Sequence, residues 1–149
     1  MRAVVQRVRE AAVHVGDRCT GRIGTGLLVL VGVGTEDSEV DVSYLASKLT
    51  GLRVFDDEEG RMNRSVSDAR GSVLCVSQFT LHGDARKGRR PSYNSAAAPD
   101  SAKPLFDRLC EAVRELGVPV ETGEFGAVMK VSMTGNGPVT VLIDSKKQF

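Results

Sequence analysis

Thr134-Gly135-Asn136-Gly137-Pro138-Val139-Thr140 constrains the end of this chain more tightly than any other segment. It lies between two β-branched runs, Val128–Met133 and Val139–Ile143, and Gly-Pro marks a turn, so the stretch predicts a hairpin. An X–Pro bond costs only about 0.5–1 kcal/mol to hold cis, and a glycine before it removes the side chain that would crowd either isomer. Such a turn can point two backbone carbonyls the same way. Carbonyls only accept, so the pair suits a ligand that brings donors, such as an amino group.

The rest of the chain alternates short strand patterns with two helical ones. Arg2–Arg9 and Ala12–Val15 alternate like strands, with Gly16-Asp17 as a turn, and Gly26–Val33 is an apolar run of a buried strand. Glu36–Leu49 has helical spacing in Val42, Leu45 and Leu49, with Asp37 or Ser38 to cap it and Gly51 past its end. Leu52–Phe55 and Ser72–Ser77 read as strands, the latter running on into Gln78–Leu81. His82 to Pro99 reads as a long loop rich in Gly, Ser, Ala and cations. Asp100–Leu116 reads as a second helix with Pro104 in its first turn and an apolar stripe of Leu105, Leu109, Val113 and Leu116. Val118–Glu121, Ala127–Met133 and Val139–Asp144 close the chain as strands. The expected fold is α/β: a single compact domain over 1–149, with mixed, largely antiparallel sheets and two main helices.

A chain of 149 residues buries about 68–70% of its unfolded surface, enough for a core without metal or disulfide staples. The three cysteines, Cys19, Cys75 and Cys110, are widely spaced, and no Cys-x-x-Cys pair is present. No metal site or disulfide framework is expected, and reduced thiols point to the cytoplasm. No apolar run reaches the roughly 18 residues of a membrane span, and Met1–Arg7 reads as a strand and not as a signal peptide.

Net charge is +1, so any nucleic-acid contact has to come from local clustering. Arg86-Lys87-Gly88-Arg89-Arg90 supplies four cations with no acid among them, which fits phosphates and fits a solvated loop equally. The glycines from Gly21 to Gly34 miss the spacing of a phosphate-binding loop and read as turn glycines. His82 lacks an orienting carboxylate beyond Asp84 and reads as a lone surface histidine. Asp56-Asp57-Glu58-Glu59 lacks calcium-loop spacing and reads as a solvated turn. Ser77-Gln78-Phe79-Thr80-Leu81 differs in kind: two hydroxyls, an amide and an aromatic ring stand where an apolar strand opens into a loop, a place where sites are built.

Taken together, these segments resemble the D-aminoacyl-tRNA deacylase family over nearly the whole chain. The opening Met1–Val8, then Phe55-Asp56-Asp57, Met62-Asn63 and Ser65-Val66, are similar to its first half. Ser77–Leu81 matches its first signature, Gly83–Ser92 is similar to the segment next to that signature, and Gly137-Pro138-Val139-Thr140 matches the core of its second. Gly135-Asn136 departs from the Asn-Asp that usually precedes the Gly-Pro, losing a negative charge and loosening the approach to the turn.

The resemblance implies a barrel-like deacylase fold, a homodimer and an aminoacyl-tRNA substrate, with no cofactor and no metal. It implies that Ser77, Gln78, Phe79 and Thr80 are the catalytic set, with backbone N–H groups near Phe79 and Thr80 stabilising the oxyanion and Phe79 beside the terminal adenosine. It implies that Gly137 and Pro138, held cis, reach into the partner's pocket, receive the α-amino group and leave no room for an L side chain. Glycine escapes such a filter, so glycyl-tRNA mischarged on tRNA-Ala is an expected substrate. Arg86, Lys87, Arg89 and Arg90 are the expected tRNA contacts. The competing expectations are a relative with the Gly-Pro held trans that edits small L-amino acids, and an RNA-binding module without catalysis.

Overall fold

β1, residues Arg2–Val15, is the strand on which the sheet is assembled in the computed structural model, which describes residues 1–149. Its first half pairs antiparallel with β3 (Gly26–Gly32) and its second half with β2 (Arg18–Ile23). Its other edge carries β8 (Lys130–Asp144) along nearly its whole length. β6 (Ser72–Ser77) adds in parallel to β3, and β7 (Val120–Thr122) in parallel to β6. A two-stranded hairpin of β4 (Phe55–Asp56) and β5 (Met62–Arg64) stands apart. The sheet curls until β2 meets β7: a Cβ built on Gly21 would lie 2.5 Å from the Thr122 carbonyl oxygen. The result is a near-barrel of mixed strands.

Helices α1 (Glu39–Gly51) and α2 (Pro99–Glu115) cover one face of the sheet. Val42, Leu45 and Leu49 meet Phe106, Leu109 and Val113 over Val29, Val31, Val73 and Cys75 in a single core. Burying each leucine there contributes about 1.5–3 kcal/mol. The opposite face encloses a smaller cluster that includes Val8, Val13, Leu28, Leu74 and Val76.

Three expectations about the strands are corrected. Ala127–Met133 and Val139–Asp144 do not form a hairpin, because both pair with β1 as one strand; the register passes from Gln6↔Thr140 directly to Val8↔Gly135, and the intervening residues bulge out. Arg2–Arg9 and Ala12–Val15 likewise merge into β1. Gly21, Gly26 and Gly32 are strand residues and not turn residues; a Cβ on Gly26 would fall 1.9 Å from the Ser72 carbonyl oxygen, so close strand packing requires glycine there.

Both helices start close to their expected places, and Ser38, one of the two expected caps, is the N-cap of α1. Asp37 accepts from the Gly34 N–H at 2.6 Å, and Ser38 donates its N–H to Asp41 at 2.9 Å, so α1 begins only at Glu39. Pro99 takes the first position of α2, which leaves Pro104 inside the helix, and the buried stripe is Ala102, Phe106, Leu109 and Val113, with Leu116 exposed.

Candidate functional site

At the C-terminal end of β6 the chain leaves the sheet. The Gln78 N–H still donates to the Val31 carbonyl at 2.7 Å, and the next four residues, Phe79–His82, wind into a 3-10 helix instead of continuing the strand. The turn is closed by Leu81 N–H to the Gln78 carbonyl at 3.3 Å and Gly83 N–H to the Thr80 carbonyl at 2.9 Å. The first N–H groups of such a helix have no partner within it, and here they belong to the signature residues.

Ser77, Gln78 and Phe79 line a cavity of about 590 Å³ between the sheet and α2. Val31, Val76, Ala102, Phe106, Phe125 and Met129 are among its apolar lining. No lysine, arginine, histidine or carboxylate lines it. Its polar groups are the Ser77 hydroxyl, the Gln78 amide, the Tyr93 phenol and backbone. This is the make-up of a pocket that binds an apolar or aromatic body and orients it with a few polar contacts. Phe79 is 56% exposed and meets Tyr93 edge to face at 5.1 Å between ring centroids. An aromatic ring left this open at the mouth of an apolar cavity offers a face on which a flat ring can stack. Thr80 lies just outside, exposed, and its hydroxyl accepts a hydrogen bond from the Gln78 amide.

Gly137 and Pro138 do not line this cavity. They form the bulge of β8, with a cis peptide bond between them and Gly137 at φ +136°. The bulge is held by Arg7, which is 7% exposed. Arg7 Nε donates to the Asn136 carbonyl at 2.8 Å, and one terminal nitrogen donates to the Val54 carbonyl at 2.7 Å and to Asp56 at 3.2 Å. The chain therefore brings Ser77, Gln78 and Phe79 together and keeps Gly137-Pro138 apart from them.

The basic segment forms a small loop closed by reciprocal backbone bonds between Asp84 and Ser92, at 2.8 and 2.9 Å. Asp84 clasps the Arg86 guanidinium at 2.9 and 2.7 Å, which holds its carboxyl well below the usual range. Lys87, Arg89 and Arg90 are exposed and form no ion pair. Asp57 organises the β4–β5 turn by accepting from the Glu59 and Arg61 N–H groups, both at 2.9 Å.

His82 is not a surface residue. It is 8% exposed, its ring packs against Gly32 and Gly34, and Nε2 has no hydrogen-bond partner. Burial is the main cause that pushes its imidazole below the ordinary value. It is turned away from the cavity and is no general base for it.

Sequence reasoning passed over Arg7 and Tyr93. Arg7 follows Ala3 and Val5 on the inward side of β1, and a cation at a core-facing position is itself a signal of a buried task. Tyr93 is the one Phe, Tyr or Trp in a loop rich in Gly, Ser, Ala and cations.

A family model described as D-Tyr-tRNA(Tyr) deacylase matches residues 4–144. Proteins named D-aminoacyl-tRNA deacylase are similar over full length: one from Thermosipho africanus is 56% identical over 149 residues, covering 100% of both chains. One from Bacillus pumilus is 58% identical over 147 residues, covering 99% of this chain and 100% of the relative. A solved structure described as c-Myc DNA Unwinding Element Binding Protein superposes with a TM-score of 0.92 at 38% identity, over 97% of this chain and 98% of that one. Another, a structural analysis of a probable eukaryotic D-amino acid tRNA deacylase, shares the fold with a TM-score of 0.80 at 21% identity, over 95% and 97%.

Proposed function

The chain belongs to the D-Tyr-tRNA(Tyr) deacylase family, hydrolases of the aminoacyl-tRNA ester, and from that premise we propose a chiral filter built from two copies of the chain. The observation that carries it is the separation of the two halves of the site. The cavity holds the polar strand end but no amine acceptor turn, and the turn bulges from β8 outside that cavity. A homodimer supplies each cavity with the other copy's Gly137 and Pro138. β8 supports this reading by leaving Val131, Met133 and Leu142 exposed at 42%, 48% and 59%.

In this arrangement the terminal adenosine stacks on Phe79 and the aminoacyl ester lies beside Ser77 and Gln78. The carbonyls of Gly137 and Pro138 receive the α-amino group. With amine and ester both fixed, a D side chain points to solvent and an L side chain meets backbone. Glycine has no side chain to reject, so glycyl-tRNA mischarged on tRNA-Ala is also cleaved. Water attacks the ester carbonyl, and the charge that develops on its oxygen is met by the Phe79 and Thr80 N–H groups, at roughly 3 kcal/mol per donor. The cavity offers no charged acid or base, so the ribose 2′-hydroxyl assists the departing 3′-oxygen. Lys87, Arg89 and Arg90 contact tRNA phosphates, with Arg86 held back by Asp84. An aminoacyl-tRNA substrate supports work in the cytoplasm.

The test is ester loss from matched D- and L-tyrosyl-tRNA. Fast cleavage of the D ester alone is the expected result, and equal rates or none on the D ester would overturn the filter. The likeness to a DNA-element-binding protein and the exposed cations favour one second reading, nucleic-acid binding without catalysis. Binding of both charged tRNAs without ester loss would establish it.

A further inference from the structure

The 3-10 helix that carries Phe79 and Thr80 ends on carbonyls that the helix itself leaves unpaired. Two side chains from outside reach them. Arg2 donates to the Leu81 carbonyl at 3.1 Å, and the Ser95 hydroxyl to the His82 carbonyl at 3.2 Å. Arg2 is itself fixed on three sides. Its Nε bonds Asp144 at 3.2 Å, its other terminal nitrogen bonds Gln148 at 2.9 Å, and its guanidinium carbon stands 5.6 Å from the centre of the Phe149 ring. Asp144 is almost fully buried, while the Arg2 side chain keeps a quarter of its exposure.

A guanidinium spends its donors in fixed directions. With Nε committed to Asp144 and one amine to Gln148, the remaining amine is aimed at Leu81 and at nothing else in the structure. The result is a rigid strut from β1 to the far end of the 3-10 helix.

We propose that Arg2 is a positioning residue for the reaction: by holding the Leu81 carbonyl it fixes the tilt of the 3-10 helix whose first N–H groups face the ester. The inference rests on the proposed ester hydrolysis. Arg2 touches neither the cavity nor the substrate, and it acts through the backbone of Leu81. A shift of the helix by a fraction of an ångström misplaces the directional oxyanion donors and lowers turnover steeply, whereas base stacking on the Phe79 face tolerates a displacement of that size, so the effect falls mainly on kcat.

The test compares wild type, Arg2→Lys and Arg2→Ala. Lysine keeps the charge beside Asp144 but has no fork with which to reach Leu81 as well. The expected result for Arg2→Lys is a kcat on D-tyrosyl-tRNA lowered about tenfold, KM within twofold, and Tm within about 2 °C. Gln148→Ala, which frees one arm of the guanidinium, gives a smaller loss of the same kind. Hydrogen exchange of the Leu81 and Gly83 amides, read in the absence of tRNA, rises in Arg2→Lys. A wild type inactive on the D ester overturns the functional reading itself. An active wild type whose Arg2→Lys variant keeps its kcat within twofold, or loses it only in step with Tm, overturns the role of Arg2 alone.

Discussion

Arg7 Nε donates to the Asn136 carbonyl at 2.8 Å, and this bond ties a core-facing residue of β1 to the bulge of β8 that carries Gly137 and Pro138. The same guanidinium satisfies the Val54 carbonyl and Asp56, so one side chain joins the bulge to β4 and the residue just before it. Replacing Arg7 with Lys leaves at least one of these acceptors unpaired in a site that is almost closed to water. Each such loss costs about 1–3 kcal/mol. Urea unfolding of Arg7→Lys should show a loss of about 2 kcal/mol, and the ratio of D to L cleavage should fall as the bulge loosens.

Gly137 stands at φ +136°, where an L side chain is strained, and a Cβ there would lie 2.8 Å from Val139 Cγ2 and 2.9 Å from its nitrogen. Gly137→Ala should displace the bulge without touching the core. Cleavage of the D ester should fall about tenfold or more, with unfolding free energy changed by roughly 1–2 kcal/mol. Single-turnover ester loss beside urea unfolding separates the two effects.

Phe79 is exposed and braced by Tyr93. Removing the ring in Phe79→Ala should cost the roughly 1–3 kcal/mol of one base stack, raising KM about fivefold or more. Tyr93→Ala keeps the Phe79 face but removes its edge-to-face support, about 0.5–1.5 kcal/mol, together with a phenol that lines the cavity, and should raise KM less. Equal KM values for both variants and wild type would show that the terminal base lies elsewhere.

Lys87, Arg89 and Arg90 are unpaired, whereas Arg86 is held by Asp84 on both carboxylate oxygens. Neutralising Arg89 should therefore weaken tRNA binding more than neutralising Arg86. Each lost phosphate contact should lower the slope of log K against log salt by about 0.7–0.9. Filter binding over a salt series reads this directly.

Burial lowers the pKa of His82; its bond to the Gly32 backbone opposes this, nearby Arg2 lowers it further and Asp37 raises it. The folded state therefore binds the proton more weakly than the unfolded state. The stability that neutral His82 allows is intact above its unfolded value near 6.5 and is lost as pH falls below it. Tm should drop between about pH 7.5 and pH 5.5 in wild type, and His82→Gln should flatten that part of the decline.

Much of the fold was legible because local spacing reflects local burial. The run Gly26–Val33 is buried on both faces, Ser72–Ser77 is a strand from end to end, and both helices lie within a few residues of where their apolar spacing and caps put them. The Ser77–Leu81 signature stood out because polar groups at the end of an apolar strand have no core reason to be there. Pairing was less legible. The two runs around Gly137-Pro138 look like a hairpin in one dimension, and only the presence of β1 along both shows them to be one strand with a bulge.

The amino-acid sequence by itself determined the element types, the apolar faces and the family, since these depend on side-chain chemistry and spacing that the chain carries wherever it goes. The tertiary structure alone decided which residues meet. It buried His82 and Arg7, wound Phe79–His82 into a helix, and kept Gly137-Pro138 out of the cavity that Ser77 opens. Such contacts join residues far apart in the chain, and their geometry exists only once β1 has gathered β2, β3 and β8 around it.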